Sequence, residues 1–161
     1  MIKKEWTADE AFSRLAALCA RSEHCEHDMA EKMRQWGLSD EDQAQVMERL
    51  VGGRYVDDGR FARAFVNDKL HYTKWGRRKI ESALMMKRID SALIKEVMDE
   101  VDDADYVSVL RPLLSQKQHT LRASSDYERR MKLTKFALSR GFTMDIIRQC
   151  MDADYDDEFL D

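Results

Sequence analysis

An all-α fold is what this sequence predicts: three tandem three-helix repeats stacked into an elongated, curved body. Three observations carry the expectation. Apolar residues recur at spacings of three and four, the period of an amphipathic helix, rather than at two. One proline and six glycines in 161 residues are too few for the frequent turns of sandwiches and barrels. Residues suited to capping a helix return at Ser39, Asp90 and Thr143, 51 and 53 residues apart.

The elements follow in order. Thr7 and Glu10 form a capping box ahead of a stripe of Phe12, Leu15, Ala16 and Cys19. Met29, Met33 and Trp36 make the second stripe, which Gly37 ends because glycine tolerates a left-handed backbone. Ser39 caps a third helix carrying Val46, Met47, Leu50 and Val51. Asp57 or Asp58 caps the fourth, with Phe61, Ala62, Phe65 and Val66. A fifth follows Trp75-Gly76 with Ile80, Ala83 and Leu84, and Asp90 caps a sixth with Ile94, Val97, Met98 and Val101. The last round begins near Asp103 with Tyr106, Leu110, Leu113 and Leu114. Pro112 interrupts that pattern and predicts a kink, or a helix start displaced towards Arg111. Ser125 and Glu128 box the eighth helix, with Leu133, Phe136 and Ala137, which ends at Gly141. Thr143 caps the ninth, with Ile146, Ile147, Cys150 and Met151.

The repeat predicts units over residues 1–56, 57–102 and 103–154, with an acidic tail at 155–161 that is either disordered or held on a basic face. Three short helices bury too little to be stable alone, so stacking between units is expected.

Composition narrows the function. Apolar residues at 43% exclude wholesale disorder, and 36% charged residues fit slender helices with much solvated surface. The net charge of −4 argues against a simple nucleic-acid coat. Charge is nevertheless segregated. From Arg60 to Lys95 only Asp68, Glu81 and Asp90 oppose a dense run of bases, and from Arg111 to Arg140 only Asp126 and Glu128 do. Acids gather at 40–42, 96–105 and 152–161. Three cysteines make a disulfide framework improbable, no run is long enough to cross a bilayer, and the N-terminus has no apolar signal region, so a cytoplasmic protein is expected.

Catalytic and metal chemistry find little footing. His24, Cys25 and His27, with Cys19 nearby, match no common zinc spacing and read as a helix start with surface histidines. Cysteine beside histidine lacks a glycine-rich elbow and an orienting third group. Paired carboxylates at helix starts are explained by capping and the dipole. No phosphate-cradling loop is present. No catalytic residue, cofactor or metal is expected, and the protein is not read as an enzyme.

The basic clusters are more informative. Arg77, Arg78 and Lys79 stand at a helix start, where the dipole disfavours cations, and Arg129, Arg130 and Lys132 hold the matching place in the third unit. These six are the candidate contacts for phosphates or an acidic protein face.

The stretch YVDDGRFARAF at 55–65 resembles the most recognisable motif of the RecX family, an aromatic or aliphatic pair followed by two acids, arginine-phenylalanine and alanine. ALCARSEHCEHDMAEKMRQWGLS at 17–39 is similar to that family's first helical hairpin, and KWGRRKIESALMMKRID at 74–90 to its basic-start helix and turn. It departs at Cys25, where serine or threonine is usual, and at Asp28 and Met29, where glutamate and leucine are common. DYERRMKLTKFALSRGF at 126–142 is compatible with the third unit. The resemblance implies three-helix repeats, docking in the groove of a RecA filament on single-stranded DNA, and inhibition of strand exchange and ATP hydrolysis. Tyr55, Asp57, Asp58, Arg60, Phe61 and Ala62 read as a structural joint between units, with Arg60 and Arg63 free to pair with the two aspartates or an outside anion. A monomer is expected, with no membrane partner. A helix-turn-helix DNA-binding protein and a protein-binding helical adaptor are the alternatives.

Overall fold

A computed structural model describes the backbone of residues 4–159 and the side chains of residues 4–152. Among these residues are nine helices and no strand: α1 Ala8–Arg21, α2 Glu26–Gln35, α3 Asp40–Gly52, α4 Asp58–His71, α5 Arg77–Met86, α6 Ser91–Asp99, α7 Asp103–Thr120, α8 Asp126–Ser139 and α9 Met144–Phe159. The all-α class is as expected. The side chains assigned to the acidic tail at 155–161, and residues 160–161 altogether, lie outside the described residues.

The repeat is visible in one turn made three times. Gly37, Arg88 and Gly141 adopt left-handed backbone at φ +77°, +55° and +93°. The next residue in each case donates its amide five residues back, Leu38 to Met33 O at 3.1 Å, Ile89 to Leu84 O at 3.3 Å and Phe142 to Ala137 O at 3.1 Å. This is the Schellman arrangement, which satisfies the carbonyls a helix end leaves open. Leu38, Ile89 and Phe142 are each buried, so the turn drives an apolar side chain inward as it ends the helix. The expected caps come one residue later. Ser39 Oγ accepts from Asp42 N at 3.1 Å, Thr143 Oγ1 from Ile146 N at a longer 3.5 Å, and Asp90 stands immediately before α6.

The chain packs as two compact units, residues 1–65 with 84–93, and residues 66–83 with 94–161. In the first, α3 lies against α1 and α2. Its core comprises Ala11, Leu15, Met29, Met33, Leu38, Val46, Leu50 and Val56, with Trp36 stacked on Trp6 at 4.1 Å. In the second, α7 packs on α8 and α9, burying Tyr106, Val107, Leu110, Ala137, Ile147 and Cys150 among others. Burying a leucine or phenylalanine stabilises by roughly 1.5–3 kcal/mol, whereas a cap contributes about 1 kcal/mol. The apolar stripes therefore decide how the helices pack, and the caps decide where they stop.

Three expectations need correction. Pro112 does not displace a helix start, because α7 begins at Asp103 and contains it. Val109, Leu110 and Leu114 are buried on both sides of the proline, and that burial outweighs the roughly 3 kcal/mol a mid-helix proline costs. Val51, placed on the apolar stripe of α3, is 44% exposed, since it lies on the helix's last turn beyond Leu50. α8 starts at Asp126, one turn before Arg130, so Arg129, Arg130 and Lys132 lie inside the helix rather than at its start.

Arg88 is the odd member of the three turns, carrying a Cβ where glycine is preferred. Arg88→Gly should raise stability by about 1 kcal/mol, read as a higher urea midpoint at an unchanged m-value.

Candidate functional site

The YVDDGRF segment is built around helix ends. Asp57 Oδ1 accepts from Arg60 N at 3.0 Å and caps its own helix. That bond is the main reason its carboxyl sits below the ordinary range, with the Arg60 and Arg63 charges adding to it. Asp58 does something the local sequence does not announce: its Oδ1 accepts from Glu26 N at 2.9 Å, 32 residues away, at the start of α2. The residue at the N-cap of α2 is Cys25, which makes no side-chain capping bond. An aspartate from another helix thus satisfies one of the open amides in the first turn of α2. Burial pushes the Cys25 thiol up to about 11.

Arg60 does not pair with the aspartates as expected. Its Nε donates to Glu23 Oε1 at 2.6 Å, and its Nη2 to the carbonyls of Arg54 and Tyr55 at 3.1 and 3.3 Å. One oxygen of each aspartate is engaged by an amide, and the guanidinium instead reaches Glu23 and the chain leading into α4. Phe61 and Ala62 are buried, and Tyr55 meets Phe12 edge-on at 5.5 Å. The six motif residues thus join α1, α2 and α4 within the first unit.

The cations at the start of α5 are tolerated for a visible reason. Gly76 N donates to Arg140 O at 2.7 Å and Arg78 N to Gly141 O at 3.0 Å. The negative end of α8 is therefore set against the positive end of α5, which offsets the dipole penalty. The approach is close enough to forbid side chains. A Cβ on Gly76 would stand 2.3 Å from Phe142 N, and one on Gly141 2.4 Å from Lys79 Cβ. The three cations then diverge. Arg77 is anchored, Nε to Glu81 Oε1 at 2.7 Å and Nη2 to Asp99 Oδ1 at 3.2 Å. The Glu81 bond, then the Asp99 bond, raise its pKa. Arg78 and Lys79 are exposed, and among the described residues neither meets a carboxylate. Lys79 Nζ lies 5.0 Å from the Trp75 ring centre, with Lys69 Nζ at 4.8 Å.

The second cluster is more neutralised. Arg129 faces Asp126 at 3.5 Å, Arg130 faces Asp152 at 2.6 Å, and Lys132 faces Glu128 at 3.0 Å. Glu128 also accepts from Ser124 N at 3.0 Å and from its hydroxyl, while Ser125 Oγ takes Glu128 N. The expected box is present, but its carboxylate reaches back to Ser124. Those Ser124 bonds, helped by Lys132, hold the Glu128 carboxyl at about 2. Nearby, Phe136 lies between Lys117 and Arg140, 5.2 and 5.3 Å from its ring centre, an arrangement sequence spacing did not suggest.

Among the described residues no group of three histidine, cysteine or acidic side chains could hold a metal, and no helix is long and apolar enough to cross a membrane. Cys19 Sγ lies 3.9 Å from Met29 Sδ.

Comparison with known proteins adds the following. Residues 57–98 match the family model described as RecX, second three-helix domain, and residues 104–151 that described as RecX, third three-helix domain. The chain is 27% identical over 149 residues to the regulatory protein RecX of Chromobacterium violaceum, covering 92% of this chain and 93% of that one. It is 30% identical over 149 residues to that of Acinetobacter baylyi, covering 92% and 91%. A crystal structure of RecX from Lactobacillus salivarius superposes with a TM-score of 0.83 at 16% identity, over 91% of this chain and 95% of that one.

Two expected outcomes follow from this geometry. Asp58→Ala should cost about 1 kcal/mol and speed hydrogen exchange at the Glu26 amide; unchanged exchange there would remove the remote cap. Glu128 is ionised more easily folded than unfolded, so its contribution is complete above the ordinary 4.5 and lost as pH falls through about 2. A carboxyl NMR titration should place its midpoint near 2, and Ser124→Ala should raise it.

Proposed function

The chain belongs to the RecX family of regulatory proteins, and we propose that it is a non-enzymatic regulator that binds RecA filaments on single-stranded DNA and mostly inhibits strand exchange and ATP hydrolysis. It would act in the cytoplasm, in homologous recombination, DNA repair and the SOS response, as a monomer of three repeats over 1–56, 57–102 and 103–154. The observation that carries the reading, beside the family, is the pair Arg78 and Lys79. These are exposed cations without carboxylate partners among the described residues, on a helix start held by the turn after α8. Preset cations of this kind lose little freedom on meeting an anionic polymer. Arg77 stands apart from them as the brace between α5 and α6, and Arg129, Arg130 and Lys132 would contribute only by exchanging their present partners.

Acidic stretches elsewhere on the chain weaken indiscriminate DNA binding, which favours recognition of protein and strand together. RecA-catalysed ATP hydrolysis on single-stranded DNA should fall when stoichiometric protein is added. If turnover and filament binding both stay unchanged, the reading fails. Arg78→Glu with Lys79→Glu should weaken filament binding by roughly tenfold near 0.1 M salt and flatten its salt dependence, while leaving the helical circular dichroism intact. A duplex footprint formed without RecA would instead favour a helix-turn-helix DNA-binding protein.

A further inference from the structure

A cleft of about 370 Å³ opens in the second compact unit. Its wall is made by Arg77, Arg78, Asp103, Tyr106 and the first turn of α9 with its cap Thr143. Three features of this wall call for a ligand. The amides of Met144 and Asp145 have no acceptor among the described residues, and that of Ile146 reaches Thr143 Oγ1 only at 3.5 Å. Such amides, at the positive end of a helix, attract anions. Tyr106 is 2% exposed, yet its hydroxyl is buried without a hydrogen-bond partner. A buried polar group left so costs roughly 1–3 kcal/mol, and native interiors seldom leave one without an occupant nearby. Burial pushes the phenol up to about 12, so it keeps its proton and can donate. Arg78 lines the same cleft and meets no carboxylate among the described residues.

We propose that the start of α9 binds one phosphodiester group of a nucleic-acid strand, held by the Met144 and Asp145 amides, the Arg78 guanidinium and the Tyr106 hydroxyl. The acids on the wall choose between kinds of phosphate. Asp103 and Asp145 both line the cleft, and Asp145 is only loosely matched by Arg148 at 3.5 Å. Two carboxylates disfavour a doubly charged terminal phosphate more than a singly charged diester. Arg77, tied to Glu81 and Asp99, lends field without offering a free fork. The proposal deepens the filament reading and rests on it for the source of the strand.

The test uses the full chain and thymidylyl-thymidine, which carries one diester. In amide NMR the Met144 and Asp145 resonances should move on titration, and thymidine 5′-monophosphate should move them less. With a fluorescent oligothymidylate, Tyr106→Phe should weaken binding roughly three- to tenfold. Arg78→Gln should lower the salt slope by about 0.7. Unmoved amides, or both variants binding as the parent does, would overturn the site. Filament co-sedimentation separates the two claims. Filament binding with unmoved amides removes the phosphate site and leaves the regulatory reading, whereas moved amides without filament binding do the reverse.

Discussion

The molecule is governed by the need to satisfy helix ends. Nine helices among the described residues, of 9 to 18 residues each, present many open amides and carbonyls for their length, and each one left dry and unpaired is costly. The chain answers with three Schellman turns of the same design, with side-chain caps at α1, α3, α4 and α8, and with two long-range devices. Asp58 caps α2 from the start of α4, and the carbonyls that close α8 receive the amides that open α5. These two devices hold parts of the chain far apart in sequence, and the apolar stripes then fill the space between.

The same accounting separates cations that hold the fold from cations left over. Arg60 and Arg77 each serve several acceptors and fix neighbouring segments. Most of the α8 cluster is paired along its own helix or with α9. Exposed ion pairs of that sort contribute little to stability, so a stronger anion can replace them at small cost. Arg78 and Lys79 need no such exchange, because the backbone of their helix start is held by carbonyls and their side chains meet no carboxylate among the described residues.

Much of this was legible in the sequence. The stripes, the capping boxes at Thr7 and Ser125, the glycine stops and the cap at Ser39 are local, depending on residues three or four apart, so pattern alone finds them. What stayed hidden involves partners distant in sequence or a choice between equals. Nothing near Cys25 says that the first amide of α2 is held by Asp58. A run such as Arg77-Arg78-Lys79 looks uniform until Asp99 singles out one member. Pro112 does not displace the start of α7, because burial on both sides of it outweighs its cost inside the helix. The orphaned Tyr106 hydroxyl had no signal at all, since a tyrosine on an apolar stripe is read as core.

The placing of the three tryptophans has an optical consequence. Trp6 and Trp36 lie almost parallel, 9° between planes, in the first compact unit, while Trp75 is in the second, between two ammonium groups. The coupled pair and the solitary indole are therefore separate chromophores reporting on separate bodies. Emission from the solitary one responds to whatever displaces its flanking lysines, so ultraviolet light alone distinguishes a disturbance beside Arg78 and Lys79 from one in the amino-terminal body.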